Sequence, residues 1–79
     1  PNASNRIKEI AELDYFLIYP NPTSDFLYFT QSKSVTVFDI LGKNIMSLTN
    51  IKIIDVRDLA QGIYILKTED GLVIKFTKS

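Results

Sequence analysis

The residue types that most often carry catalysis are missing from this sequence. It contains no histidine and no cysteine, so it lacks the side chain that titrates near neutral pH, the thiolate nucleophile and the soft metal ligands. Serines lie in or beside predicted turns and strands at positions 24, 32, 34, 47 and 79, but none has a candidate base in its local pattern. We therefore expect no enzymatic activity, no catalytic residue and no cofactor.

Asp55 and Asp58 come closest to a functional pair of carboxylates, and Arg57 lies between them. One interpretation is a calcium site, but calcium takes about six to eight oxygen ligands, and the further Asp and Asn residues of a calcium loop are missing. The other interpretation is structural: the carboxylates pair with Arg57 or accept hydrogen bonds from loop amides. The residue types favour the structural interpretation.

Two lysines near the end of the chain, Lys75 and Lys78, flank Phe76. Lysines on an outer strand are usually solvated and discourage pairing between sheet edges. Alternatively, a short basic and aromatic tail is a segment that another protein could bind. Composition alone favours the first interpretation.

Short β-rich runs separated by turn residues would position these side chains. The runs recur about every 8 to 12 residues and none has a sustained helical period, which indicates an antiparallel sandwich or barrel. Residues 1–14 are linker-like and precede a domain over residues 15–79. The predicted strands cover residues 15–19, 26–30, 35–40, 45–48, 51–56, 63–68 and 72–77.

Turn chemistry marks the two ends of the predicted domain. The run Pro20-Asn21-Pro22 must end the first strand, because each proline fixes its own φ angle and lacks a backbone donor. Asp70-Gly71 is a strong hairpin signal. The hairpin around it should close one edge of a sheet.

The stretch from Leu59 to Leu66 narrows the choice between a sandwich and a barrel. Immunoglobulin-like sandwiches carry a tyrosine at a corner before an inner strand, two residues ahead of an inward-facing core position. Here Tyr64 precedes Leu66 by two residues, and Gly62 lies in the loop before it. The sequence therefore predicts an all-β, immunoglobulin-like antiparallel β-sandwich of about seven short strands, with Tyr64 and Leu66 pointing inward.

Several predicted strands carry hydrophobic residues on both faces, whereas one face of a free sandwich should contact water. These residues are Phe26 with Tyr28, Phe38 with Ile40, and Ile63 with Ile65. Either loops and the linker cover both faces, or part of one face is a docking patch. The sequence leaves both interpretations open.

Composition limits the size of the domain and its partners. Of the 79 residues, 46% are hydrophobic, which suffices for one core. Nine basic and nine acidic residues cancel and are interspersed, so no field would steer the domain to nucleic acid or to an anionic membrane. The first residue is proline and the first residues do not resemble a signal peptide, so we expect a module cut from a longer protein.

Five motifs occur in the order that is typical of one known family. Because of these motifs and their order, the chain resembles the C-terminal sorting domain of the type IX secretion system, in its type A form. Individually the motifs are weak, but their order is specific. They are Tyr19-Pro20-Asn21-Pro22, the segment from Val35 to Lys43, the segment from Asp55 to Leu59, the segment from Gly62 to Lys67, and the closing segment from Lys75 to Lys78.

The resemblance implies the last domain of an exported protein, acting as an address rather than as an enzyme. It would direct a folded N-terminal cargo of unknown identity from the periplasm across the outer membrane of a Gram-negative bacterium, through the shuttle proteins and translocon of the secretion system. A cell-surface sortase-like peptidase would then usually remove it, with the cut in or beside residues 1–14. The cargo would be secreted or held at the cell surface, often attached to lipopolysaccharide.

We predict two sets of residues with separate roles. The fold-shaping set is Pro20, Asn21, Pro22, Gly42, Leu59, Gly62 and Tyr64. The segment that the secretion machinery recognises, by strand addition or by capture of the tail, is Gly71, Leu72, Val73, Ile74, Lys75, Phe76, Thr77 and Lys78. The alternative function is an immunoglobulin-like adhesion, spacer or carbohydrate-binding module of a larger surface protein, which would bind glycans through exposed aromatics such as Tyr28.

Overall fold

Antiparallel β-strands form the architecture of the protein. A computed structural model describes residues 16–79; the predicted linker over residues 1–14 and Tyr15 lie outside the described residues. Residues 16–79 contain no helix that could cross a membrane. The predicted all-β class is confirmed. The strands are β1 (Ile18–Tyr19), β2 (Phe26–Asp39), β3 (Asn44–Asp55), β4 (Gly62–Thr68) and β5 (Val73–Lys78).

Two long strands contain four of the seven predicted strand segments. β2 has 14 residues and β3 has 12, and each runs through a position where a break was expected. Neither expected break ends its strand, although β2 residues 29–32 have no partner on β3. The strands bend instead: the β2–β3 register shifts on both sides of Lys33, and Asn50 has a φ angle of 53°.

These bends divide the sheet into two parts. In the first part, β1 and the last residues of β3 flank the first residues of β2. In the second part the strand order is β3, β2, β4, β5. The sheet curls so that buried residues of both parts form one core, which is consistent with the predicted immunoglobulin-like sandwich. The core residues are Leu27, Phe29, Val35, Val37, Ile54, Val56, Tyr64, Leu66 and Phe76.

Strand alternation explains which residues enter this core. In β4, Tyr64 and Leu66 are buried and Ile63 is exposed, as a period of two residues requires. The inward orientation predicted for Tyr64 and Leu66 is confirmed. In β2, Val35 and Val37 are buried by the same rule.

Asp39 organises the turn between β2 and β3. Its Oδ1 atom accepts hydrogen bonds of 2.9 Å from the backbone N–H groups of Leu41 and Lys43. Gly42 donates to the Asp39 carbonyl oxygen and has a φ angle of 87°, a conformation that a side chain would strain. The turn ends β2 at Asp39, so Ile40, which was expected in the strand, is exposed in the turn.

Candidate recognition site

The predicted recognition segment forms β5 and the turn before it. β5 lies at the edge of the sheet and pairs antiparallel with β4, from Val73 opposite Lys67 to Lys78 opposite Gly62. The expected closing hairpin is therefore confirmed. Alternation divides the segment, because Phe76 is fully buried whereas Val73 is 63% exposed.

A tight turn around Asp70 and Gly71 presents β5. The Thr68 N–H donates to the Leu72 carbonyl oxygen at 3.0 Å, and the Gly71 N–H donates to the Thr68 carbonyl oxygen at 3.1 Å. Asp70 forms an ion pair with Lys33 of β2, with 2.6 Å between Nζ and Oδ2. The hydrogen bonds from Lys33 and from the Thr68 hydroxyl lower the pKa of Asp70. The turn is thus held to β2 as well as to β4.

Lys78 lies buried at the end of β5. Only 8% of its surface is exposed, and its Nζ atom donates a hydrogen bond of 2.9 Å to the Leu59 carbonyl oxygen. Lys75 is exposed. The expectation that outer-strand lysines are solvated is thus correct for Lys75 and wrong for Lys78. The reason is alternation: Lys78 shares the inner face with Phe76, and the Leu59 carbonyl satisfies its ammonium group.

Tyr64 makes the hydrogen bond that is typical of a tyrosine corner. Its hydroxyl donates to the Ala60 carbonyl oxygen at 2.7 Å. Its ring stacks on the ring of Phe76, with centroids 5.6 Å apart and an interplanar angle of 22°. Together with the bond from Lys78 to Leu59, these contacts connect β5 to the loop before β4. The corner and the predicted recognition segment are therefore one packed unit.

Asn21 and Thr23 pair with the outer edge of β5. The Asn21 side chain donates through Nδ2 to the Lys75 carbonyl oxygen at 3.2 Å and accepts through Oδ1 from the Thr77 N–H at 3.0 Å. The Thr23 N–H donates to the Thr77 carbonyl oxygen, and the Ser79 N–H donates to the Thr23 carbonyl oxygen, both at 2.9 Å. The Pro20–Pro22 motif and the last strand are therefore brought together.

Thr23 anchors this contact and was not among the predicted site residues. Its side chain is 1% exposed, and its hydroxyl donates to the Phe26 carbonyl oxygen at 2.6 Å. A hydroxyl residue directly after Pro22 is a turn signal. That signal predicts a local hydrogen bond, but it contains no information about pairing with a strand more than fifty residues away.

Asp55 and Arg57 form a salt bridge, as the structural interpretation predicted. The Arg57 guanidinium donates from Nε to Oδ1 at 3.0 Å and from Nη2 to Oδ2 at 2.8 Å. These bonds, together with one from the Arg57 backbone N–H, lower the pKa of Asp55 from its ordinary value of 3.8 to about 2. Within residues 16–79, no three acidic side chains are grouped so that they could hold a metal ion.

Basic side chains partly cover the outer apolar face. The Arg57 guanidinium lies 5.0 Å from the ring centroid of Phe26, and the Lys67 ammonium lies 5.2 Å from that of Phe38. Tyr19 and Tyr28 remain 51% and 39% exposed and stack on each other, with centroids 5.7 Å apart. Side chains thus cover part of this face, while cover by the linker and the docking patch both stay predictions.

The predicted fold-shaping residues occupy three places. One group borders β5, one forms the corner before β4, and one residue lies in the turn between β2 and β3. In that order they are Pro20, Asn21 and Pro22, then Leu59, Gly62 and Tyr64, then Gly42.

A comparison with known proteins identifies the family to which this chain belongs. A family model described as "Secretion system C-terminal sorting domain" matches residues 17–79. This range includes all five strands. No curated protein matches the chain. Because the family match extends over most of the sequence and includes both the corner and β5, the chain belongs to the family of C-terminal sorting domains of the type IX secretion system.

Proposed function

We propose that the domain is a non-catalytic sorting signal that directs a folded cargo protein across the outer membrane through the type IX secretion system. Membership of the sorting-domain family is the observation that carries this proposal. The contacts around β5 support it, because they hold the predicted recognition segment in one defined conformation. A rigid segment loses little conformational entropy when a receptor binds it.

The exposed part of the segment is the surface that a receptor reaches first. Leu72 and Val73 are 41% and 63% exposed, and Lys75 is exposed beside them. Phe76 and Lys78 are buried. In this proposal the shuttle proteins and the translocon recognise Leu72, Val73 and Lys75. Phe76 and Lys78 hold β5 in place.

Removal of the domain completes the proposed sequence of events. The domain travels through the periplasm fused to an N-terminal cargo, and a cell-surface sortase-like peptidase cuts in or beside residues 1–14. The cargo then remains at the cell surface or is secreted. Amino-terminal sequencing of the sorting domain released by a secreting strain would locate the cut.

A fusion experiment tests the proposal. Residues 1–79 are joined behind a signal peptide and a folded reporter, and the fusion is expressed in a strain with an intact type IX system and in a matched strain without its translocon. We expect reporter outside the intact strain and reporter in the periplasm of the translocon mutant. Reporter that stays in the periplasm of both strains would exclude the proposed function.

A carbohydrate-binding module is the second candidate, and the exposed Tyr19 and Tyr28 favour it. Aromatic side chains offer flat apolar surfaces for ligands. These two rings stack on each other at an interplanar angle of 23°, which leaves one face of each ring available at most. Glycan binding by the purified domain, lost on Tyr28→Ala substitution, would support this function; no binding would leave the sorting signal as the function.

A further inference from the structure

The outer edge of β5 divides into a covered part and an open part. The backbone groups of Thr77 point away from β4, because they bond to Asn21 and Thr23. In a strand, residues two apart point their backbone groups to the same side, so those of Val73 and Lys75 face the same edge. An uncovered edge of this kind pairs readily with another strand.

The side chain of Asn21 takes the place of a neighbouring strand. Its amide carries an acceptor and a donor in one plane, as a peptide group does. It accepts from the Thr77 N–H and donates to the Lys75 carbonyl oxygen, which are the two bonds that an added strand would make there. The backbone of Thr23 continues this pairing to Thr77 and Ser79.

Proline prevents a further strand from pairing with the outer side of the covering segment. Thr23 uses both its N–H and its carbonyl oxygen on β5, so the neighbouring residues supply the groups that face outward. Of the alternate residues Pro20, Pro22 and Ser24, only Ser24 has an N–H. Proline is tolerated at sheet edges for this reason. A further strand therefore finds no regular ladder on the outside of this segment.

We propose that the segment Asn21–Pro22–Thr23 is an edge guard, which prevents a second copy of this chain from pairing with β5. The exposed β5 edge would otherwise be self-complementary in an antiparallel, two-fold arrangement. With the guard in place, only the backbone of Val73 and the N–H of Lys75 remain for pairing. This inference concerns self-association and does not depend on the proposed role in secretion.

Hydrogen exchange and oligomeric state together test the guard. The Asn21→Ala variant of residues 1–79 is compared with the unmodified chain and with Asn44→Ala, which removes an exposed asparagine at the start of β3. At low micromolar concentration we expect the Thr77 amide of Asn21→Ala to exchange about tenfold faster. At high concentration we expect this variant alone to sediment as a dimer.

A second variant separates the guard from general loss of structure. Asn21→Asp keeps an acceptor for the Thr77 N–H, so its Thr77 amide should exchange at nearly the original rate. Two results would overturn the proposal. One is unchanged Thr77 exchange in Asn21→Ala; the other is faster exchange in a variant that stays monomeric at every concentration, because the segment would then shield an amide without blocking association.

Discussion

The Nζ atom of Lys78 donates a hydrogen bond to the carbonyl oxygen of Leu59, 2.9 Å away and 19 residues earlier in the chain. The bond joins the end of β5 to the loop of the tyrosine corner. The sequence pattern would place this lysine in solvent. The bond instead gives Lys78 a role in folding. Effects of Lys78 variants on export therefore need to be separated from effects on stability.

Replacing Lys78 with methionine should destabilise the domain by about 1–3 kcal/mol, because the partly buried carbonyl of Leu59 loses a charged donor while the apolar stem is retained. Urea unfolding followed by fluorescence or circular dichroism measures this change. Lys75→Met, at an exposed position on the same strand, is the control and should change stability by less than about 0.5 kcal/mol. Equal effects of the two variants would contradict the role assigned to Lys78.

Removing the hydroxyl of Tyr64 should cost about 1–2 kcal/mol. The Tyr64→Phe variant keeps the stack with Phe76 but leaves the Ala60 carbonyl oxygen without its 2.7 Å donor. Tyr28→Phe, in which an exposed ring is changed, should be nearly neutral. Urea unfolding of both variants tests the corner, and a neutral Tyr64→Phe would show that the ring alone stabilises it.

The salt bridge between Asp55 and Arg57 should make stability depend on pH only in acid. The pKa of Asp55 is about 2 in the folded protein, below the value of about 3.9 expected when unfolded. Its contribution is therefore complete above about pH 4 and is lost as the pH falls towards 2.

Asp55→Asn should flatten this part of the stability curve, whereas Asp58→Asn, which leaves the salt bridge intact, should not. Chemical denaturation between pH 2 and pH 6 measures the curve, and carbon-detected NMR titration reports the Asp55 carboxyl directly. A titration midpoint near 4 would contradict the observed pairing.

A charge at an exposed position of β5 should impair export without unfolding the domain. Val73 is 63% exposed, so Val73→Asp should lower stability by no more than about 1 kcal/mol, the span of strand preferences, while the reporter fusion accumulates in the periplasm. Leu41→Asp, at an 89% exposed position in the turn between β2 and β3, is the matched control and should be exported. Normal export of Val73→Asp would place recognition elsewhere on the domain.

Sequence reasoning succeeded where the physical signal is local. Alternation predicted the buried side chains of β4, because a strand has a period of two residues. The spacing from Tyr64 to Leu66 predicted a corner tyrosine, and Asp70-Gly71 predicted a hairpin, because backbone conformation limits which residues fit such positions. The ordered motifs indicated the family, which the match over residues 17–79 confirms.

Only the tertiary structure decided how these local pieces combine. The predicted break after Thr30 became a bend within β2, because pairing with β3 resumes at Lys33 and Val35 after a shift in register. Asn21 meets Thr77 across 56 positions of sequence, and Lys78 is buried because the corner loop offers it a carbonyl oxygen. Such contacts depend on which edges and loops the fold brings together, and local residue patterns do not contain that information.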